Sequence, residues 1–275
     1  VNFWSKLQSI DVRIIYITVF VTLAIPLLIP LGIPLTVADN SVNMYTLIED
    51  LQPGDRVLMS LDYTALVAPE VHAGTVAICR HLFEKGVGVA MFGYIPEGPM
   101  FGDMAINQLA DEYDLVYGKD VVNLGFIPGS ESGVRAFGDN ILESAPRCFR
   151  NQVTKDMPIM QGVRNAADFK MLIGIGDGLQ VMVQQIHTVH GTPICGVSTA
   201  AGTTGLWPYV NSGQIKAMLS GLRGCAEYEM LVNKPSTAVA KMDGQSLGHL
   251  VIILFIAAGN IGHFVTKKNK SEAKQ

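Results

Sequence analysis

The run Ser246–Thr266, SLGHLVIILFIAAGNIGHFVT, contains no Asp, Glu, Lys or Arg. A helix needs about 20 apolar residues to cross a hydrocarbon core of about 30 Å. The run therefore predicts a transmembrane helix, and whatever folds beside it has to live at a bilayer. A counterpart lies near the other end, Ile14 to Ala38, which is also free of formal charge. It is expected to be retained: its apolar core exceeds a signal-peptide core of about 7–15 residues, and no small-x-small cleavage site follows cleanly. Pro26, Pro30 and Pro34 recur every four residues in its second half. Each removes a backbone donor and kinks a helix, so this half is expected to be bent or partly unwound against a neighbouring helix. A helix ending near Leu28 with an extended strap after it, or a re-entrant hairpin, are the alternatives.

Lys6 and Arg13 precede the first run, Asp39, Glu49, Asp50 and Asp55 follow it, and Lys267, Lys268, Lys270 and Lys274 follow the second. Basic flanks mark the cytoplasmic side. The expected location is a cell membrane, with both termini cytoplasmic and the central domain extracytoplasmic. The organisation reads as a polar tail (1–13), a Pro-kinked transmembrane helix (14–38), a folded domain (39–233), a linker (234–245), a second transmembrane helix (246–266) and a basic tail (267–275).

The central segment, about 200 residues, is long enough for a sizeable core. A net charge of −4 with scattered basic residues gives no footprint for nucleic acid. Cys79, Cys148, Cys195 and Cys225 show no metal-ligand spacing, and free buried thiols are expected of them. Nearly continuous apolar strands alternate with helical patterns: 56–62, 87–92, 120–126, 170–176, 193–197 and 214–219 for strands, with helices at 69–85, 103–113, 131–143, 179–190 and 224–232 and a helical turn near 206–210. This pattern predicts an α/β fold: a doubly wound, mostly parallel sheet, Rossmann-like or flavodoxin-like, flanked by the two transmembrane helices. Residues 145–168 interrupt it, and so long an excursion is expected to be an inserted hairpin, an interface arm or a lid.

Ligands of open parallel sheets gather at the carboxyl ends of the strands. The candidate rim is Asp62, Tyr63, Tyr94, Ser130, Glu131, Asp177, Ser198, Thr199, Ser220 and Arg223. The bland reading makes these residues turn-formers and caps, with Ser130, Asp177 and Thr203 or Thr204 standing at N-cap positions. Gly174-Ile-Gly176-Asp-Gly178 lacks GxGxxG spacing and a Walker lysine, and close strand–helix packing explains its glycines equally well. His72, His81, His187 and His190 match no metal motif. Neither a cofactor nor a metal is expected. The one arrangement that would suit chemistry is Ser198 or Ser220 as nucleophile beside Asp62, Glu131 or Asp177. In the second membrane run Gly259, Asn260 and Gly262 provide small and hydrogen-bonding groups suited to a helix–helix interface. With Pro26, Pro30 and Pro34 they form the candidate interface set.

LSLDY after the Pro-Gly turn, PEVH opening the next helix, RHLFEKG closing it, GFIPGSE after the third strand and SGQIKAMLSGLRGCAEYE before the second span resemble an uncharacterised prokaryotic family of two-span membrane proteins. The resemblance covers nearly the whole chain. It implies a central α/β domain between two spans and carries no assigned activity. The first expectation is a non-enzymatic, membrane-anchored subunit of a homo- or hetero-oligomeric assembly, with the α/β domain as packing module. Its partners would be the lipid bilayer and further copies or other membrane subunits. The second is a module that binds a small polar ligand and couples to a membrane partner, and the third is a membrane-tethered hydrolase or transferase.

Overall fold

The computed structural model describes residues 11–29 and 31–272. Lys6, Pro30 and Lys274 lie outside the described residues. The chain divides into two compact units, Leu35–Ala238 and the combination of Val1–Pro34 with Val239–Gln275.

In the larger unit six strands form one all-parallel sheet: β1 (Arg56–Asp62), β2 (Gly88–Gly93), β3 (Val121–Phe126), β4 (Met171–Gly176), β5 (Ile194–Ser198) and β6 (Ile215–Ser220). Their order is β3-β2-β1-β4-β5-β6. This is the doubly wound order with its switch point between β1 and β4, and it selects the Rossmann-type over the flavodoxin-type arrangement. The central strands are apolar on both faces because both are covered. Along β1, Val57, Leu58, Met59 and Leu61 are all fully buried.

Strand–helix alternation supplies the covers. The helices of this unit are α2 (Asp39–Glu49), α3 (Ala68–Glu84), α4 (Gly98–Leu109), α5 (Ser130–Asp139), α6 (Ile141–Ser144), α7, α8 (Ala200–Asn211) and α9 (Gly221–Leu231). Helix α7 opens as α over Leu179–Met182, winds as π over Val183–His187 and closes as α over Thr188–His190. Phe92 of β2 stacks on Phe137 of α5, ring centres 4.3 Å apart, in a core that also takes Met182, Ile186 and Leu206. On α3, Gly74 lies so close to α9 that a Cβ would come 2.7 Å from Cys225 Sγ. A polar chain, buried at Tyr228 and His81 and exposed at Glu49, fastens α2 and α9 to α3: Tyr228 Oη and His81 Nδ1 are 2.7 Å apart, and His81 Nε2 is 3.1 Å from Glu49. The four cysteines are free and buried, as expected.

Several expectations change. Of the hairpin, arm or lid expected of 145–168, a small hairpin is present, with an antiparallel bridge between Arg147 and Val153, while three 3₁₀ turns place Met157, Ile159, Met160, Val163 and Ala166 in the core and Phe149 N–H donates to Asn123 C=O on edge strand β3 (2.8 Å). Apolar residues spaced for burial, rather than chain length, decide its role. Helix 131–143 breaks at Asn140, which leaves α5 and caps α6 by accepting from Glu143 N–H. The turn near 206–210 is part of the full helix α8. Helix α2 lies in a segment with no helical expectation.

In the smaller unit, α1 (Val12–Leu28) ends at Leu28, and residues 31–38 form no helix or strand. The helix predicted over 14–38 is therefore cut short, as in the alternative that ends it near Leu28: Gly32 takes φ +65°, and Pro34 lies among the irregular residues that follow. Helix α10 (Thr237–Glu272) starts well before residue 246 and absorbs most of the predicted linker. Among the described residues, α10 provides one stretch long and apolar enough to cross a membrane, Thr237–Lys267, whereas α1 has 17 residues. The two helices run antiparallel. Leu23 packs on Gly248, and Asp243 accepts backbone N–H bonds from Leu31 (2.8 Å), Gly32 (2.8 Å) and Ile33 (3.0 Å). Three donors on one buried carboxylate offset much of its desolvation. Close approach uses Gly244 and Gly248, one turn apart. Gly259 has open space where a Cβ would stand, Asn260 is exposed, and Gly262 and Pro26 are buried.

Candidate functional site

The switch point sets two strand ends side by side, Asp62 on β1 and Gly176 on β4. Asp62 is 1% exposed. Its Oδ1 accepts from Tyr94 N–H (2.9 Å), and its Oδ2 accepts a short bond from Ser60 Oγ, two residues back on the same face of β1. Burial pushes this carboxyl up to about 7, against the opposing bonds from Ser60 and from the backbone of Tyr94 and Ile95. Near neutral pH this carboxyl is therefore divided between its protonated and charged forms.

The loop after β4 passes directly over Asp62. Gly176 adopts φ +103°, and a Cβ on it would overlap the Asp62 carbonyl oxygen. A Cβ on Gly178 would stand 2.6 Å from Asp62 Oδ2. The glycines of this loop answer to packing, since the Cβ of a residue at 174 would lie 2.7 Å from Leu179. The first βα turn, where a dinucleotide fold carries its glycines, reads Tyr63-Thr64-Ala65-Leu66 instead.

Next to it, β5 ends in Ser198 and Thr199 at the start of α8. Thr199 is the N-cap, accepting from Gly202 N–H at 2.9 Å, and its hydroxyl donates to Asp177 Oδ1 at 3.3 Å. Ser198 Oγ, Asp177 Oδ1 and Thr199 Oγ1 converge on Gly202, lying 2.7, 2.9 and 2.9 Å from where its Cβ would be. Ser198 is fully buried, and its hydroxyl has no hydrogen-bond partner. An orphaned buried hydroxyl costs about 1–3 kcal/mol. Thr199→Ala is expected to cost about 1 kcal/mol through the lost cap, read as a fall of about 3 °C in the thermal midpoint.

The electrostatic character of the rim is negative. Tyr94, half-buried, has its hydroxyl pushed up to about 12 by burial and by the charges of Asp62, Glu131 and Asp177. Glu70 accepts from Ala200 N–H at 2.6 Å, so a carboxylate already occupies the N-terminus of α8. Glu97 likewise accepts from Ala65 N–H (2.6 Å).

Of the predicted rim, Asp62, Tyr94, Asp177, Ser198 and Thr199 come together, and Glu131 contributes its field. Tyr63 turns away into the core, its hydroxyl 2.8 Å from His72 Nδ1 and its ring stacked on Phe101. Arg223 points to Glu227 (2.9 Å) and the Thr36 carbonyl. Ser220 precedes α9 on edge strand β6 without a capping bond. Ser130 sits at φ +50° on the exposed start of α5. The expected N-caps shift: Gly129, Gly178 and Thr199 cap α5, α7 and α8, in place of Ser130, Asp177 and Thr203 or Thr204. Sequence reasoning missed Ser60, Glu70 and Glu97. The i, i+2 spacing of Ser60 and Asp62 on one strand was the available signal for the first.

Among the described residues no cluster of His, Cys, Asp and Glu could hold a metal ion. His187 Nδ1 meets the Thr192 carbonyl (2.9 Å), and His190 lies 3.1 Å from Asp139. No family model, curated protein or solved structure matches the chain.

Proposed function

We propose that the chain is a membrane-anchored binding module whose switch-point crevice takes a small polar ligand, neutral and hydroxylated or cationic. The observation that carries this reading is the buried, unpartnered Ser198 hydroxyl beside Asp177 and Thr199. It supports binding over catalysis, because a nucleophilic serine needs a base hydrogen-bonded to it. The acidic surroundings, and the Glu70 carboxylate at the α8 N-terminus, weigh against phosphates and nucleotides.

Thermal-shift titration of the full chain in lipid nanodiscs tests the reading with glycerol, inositol, putrescine, phosphate and AMP. A polyol or amine is expected to raise the midpoint, by about 2.7 kcal/mol of stabilisation at a hundredfold excess over Kd. Ser198→Ala is expected to leave the unliganded protein as stable or more so while abolishing that shift. A shift from phosphate or AMP alone, or none from the whole panel, would sink it.

In this reading α10 and α1 hold the module at a cell membrane, with both termini cytoplasmic and the α/β unit extracytoplasmic. A second role, as a packing subunit of a homo- or hetero-oligomeric assembly, is favoured by exposed Asn260 beside open Gly259 on an apolar helix, since lipid cannot satisfy an amide. Native mass spectrometry of gently solubilised protein is expected to give oligomers that Asn260→Leu and Gly259→Leu dissociate. Monomer only, or oligomers indifferent to both changes, would leave the helix as an anchor.

A further inference from the structure

We propose a second binding site at the opposite, amino-terminal rim of the sheet, selective for a small carboxylate with an apolar body. A cavity of about 640 Å³ opens there, where β1 and β2 begin and α3 ends. That volume lies within the range of about 300–1,000 Å³ that holds small molecules. Its wall combines two kinds of surface. Phe83 and Tyr113, ring centres 6.1 Å apart, and Leu115 form the apolar side. Arg56 and Lys119 form the charged side. Arg56 is held in place by its Nη1, which donates to the carbonyls of Ile159 (3.0 Å) and Gln161 (2.8 Å). Both acceptors are neutral, so the guanidinium keeps its charge at the cavity wall.

The charge balance selects the ligand class. Asp120 lines the same wall, but its Oδ2 accepts from Val116 N–H (2.9 Å) and its Oδ1 stands 4.0 Å from Lys119 Nζ. The C-terminus of α3 adds about half a negative elementary charge. Among the lining side chains two formal cations stand against one carboxylate, and with that half charge a positive surplus remains, which favours a monoanion. The Tyr113 hydroxyl stands on the same wall, beside the Glu112 carboxylate. The neighbouring Glu112 carboxylate is engaged by Arg80 (3.2 Å) and Lys234 (3.8 Å). A carboxylate can only accept hydrogen bonds, and here it would accept from the two cations.

Isothermal titration of the full chain in nanodiscs, with empty nanodiscs subtracted, would use benzoate, octanoate and 2-naphthoate, with 2-naphthamide as the neutral isostere. At least one carboxylate is expected to bind saturably, with the amide about tenfold weaker or worse. Lys119→Glu, at a 66% exposed side chain, is expected to weaken binding about tenfold. Leu115→Trp should fill the cavity and abolish it, and Ser198→Ala should change nothing. Absence of saturable binding by all three acids, equal binding of the amide, or indifference to both Lys119→Glu and Leu115→Trp overturns the proposal.

Discussion

Gly176→Ala is expected to lower the thermal midpoint of the α/β unit by about 10 °C. Two penalties coincide at this residue. Its φ of +103° is a conformation L residues avoid, worth about 1–3 kcal/mol. A Cβ would also overlap the Asp62 carbonyl oxygen, which is backbone in a central strand and cannot swing aside, adding about 1–3 kcal/mol. The sum, about 4 kcal/mol, is a large share of the about 5–15 kcal/mol that holds a domain together, and each kcal/mol moves a domain of this size by about 2–4 °C. Gly205→Ala supplies the control: nothing lies within 4 Å of its Cβ position and it sits inside α8. There alanine is expected to stabilise by about 0.5–1 kcal/mol. Melting by circular dichroism checks both, and a Gly176→Ala midpoint within 2 °C of the native chain refutes the packing account.

The part of the stability that Asp62 contributes is expected to fall as pH rises from about 4 to about 7, and Asp62→Asn is expected to remove that slope. The Asp62 carboxyl ionises near 3.8 when unfolded and at about 7 in the fold, because burial disfavours its charge. Within that window the folded state binds more protons than the unfolded chain, so raising the pH favours unfolding. The contribution is fully present below about pH 4, lost as pH passes through about 7, and flat beyond. Three pH units at about 1.4 kcal/mol each set its size at about 4 kcal/mol. Asparagine keeps an acceptor for Tyr94 N–H and carries no charge at any pH. Glu49, held down to about 2 by Lys85, Tyr45 and His81, gives the opposite slope, but only as pH falls below its ordinary range near 4.5. The difference in midpoint between native and Asp62→Asn proteins at pH 4.5 and 8 isolates Asp62. Equal differences at the two values would show that Asp62 is not the titrating group.

All six strands could be located from sequence because each is a short apolar run bounded by turn residues, and a strand buried on both faces leaves that signature. Their spatial order could not, since β1 pairs with β4 across more than a hundred residues and nothing local encodes the choice. The site divides the same way. Asp62, Asp177, Ser198 and Thr199 stand out as polar residues ending apolar runs. Glu70 reaches the α8 N-terminus across 130 residues, a contact made by topology alone. Capping was misplaced where glycine does the work: Gly129 takes φ +100° ahead of α5, so Ser130 behind it has no cap to make. Helix α1 ends at Leu28, which is the alternative that the evenly spaced prolines left open beside one kinked helix.

The Asp243 clasp has a consequence for biosynthesis. Its three backbone partners precede it by 210–212 residues. At about 5–20 residues per second, roughly 10–40 s pass between synthesis of the strap and arrival of the carboxylate that fastens it. The α/β unit is translated wholly within that interval. The ribosome therefore completes the inserted unit before the flanking one can close.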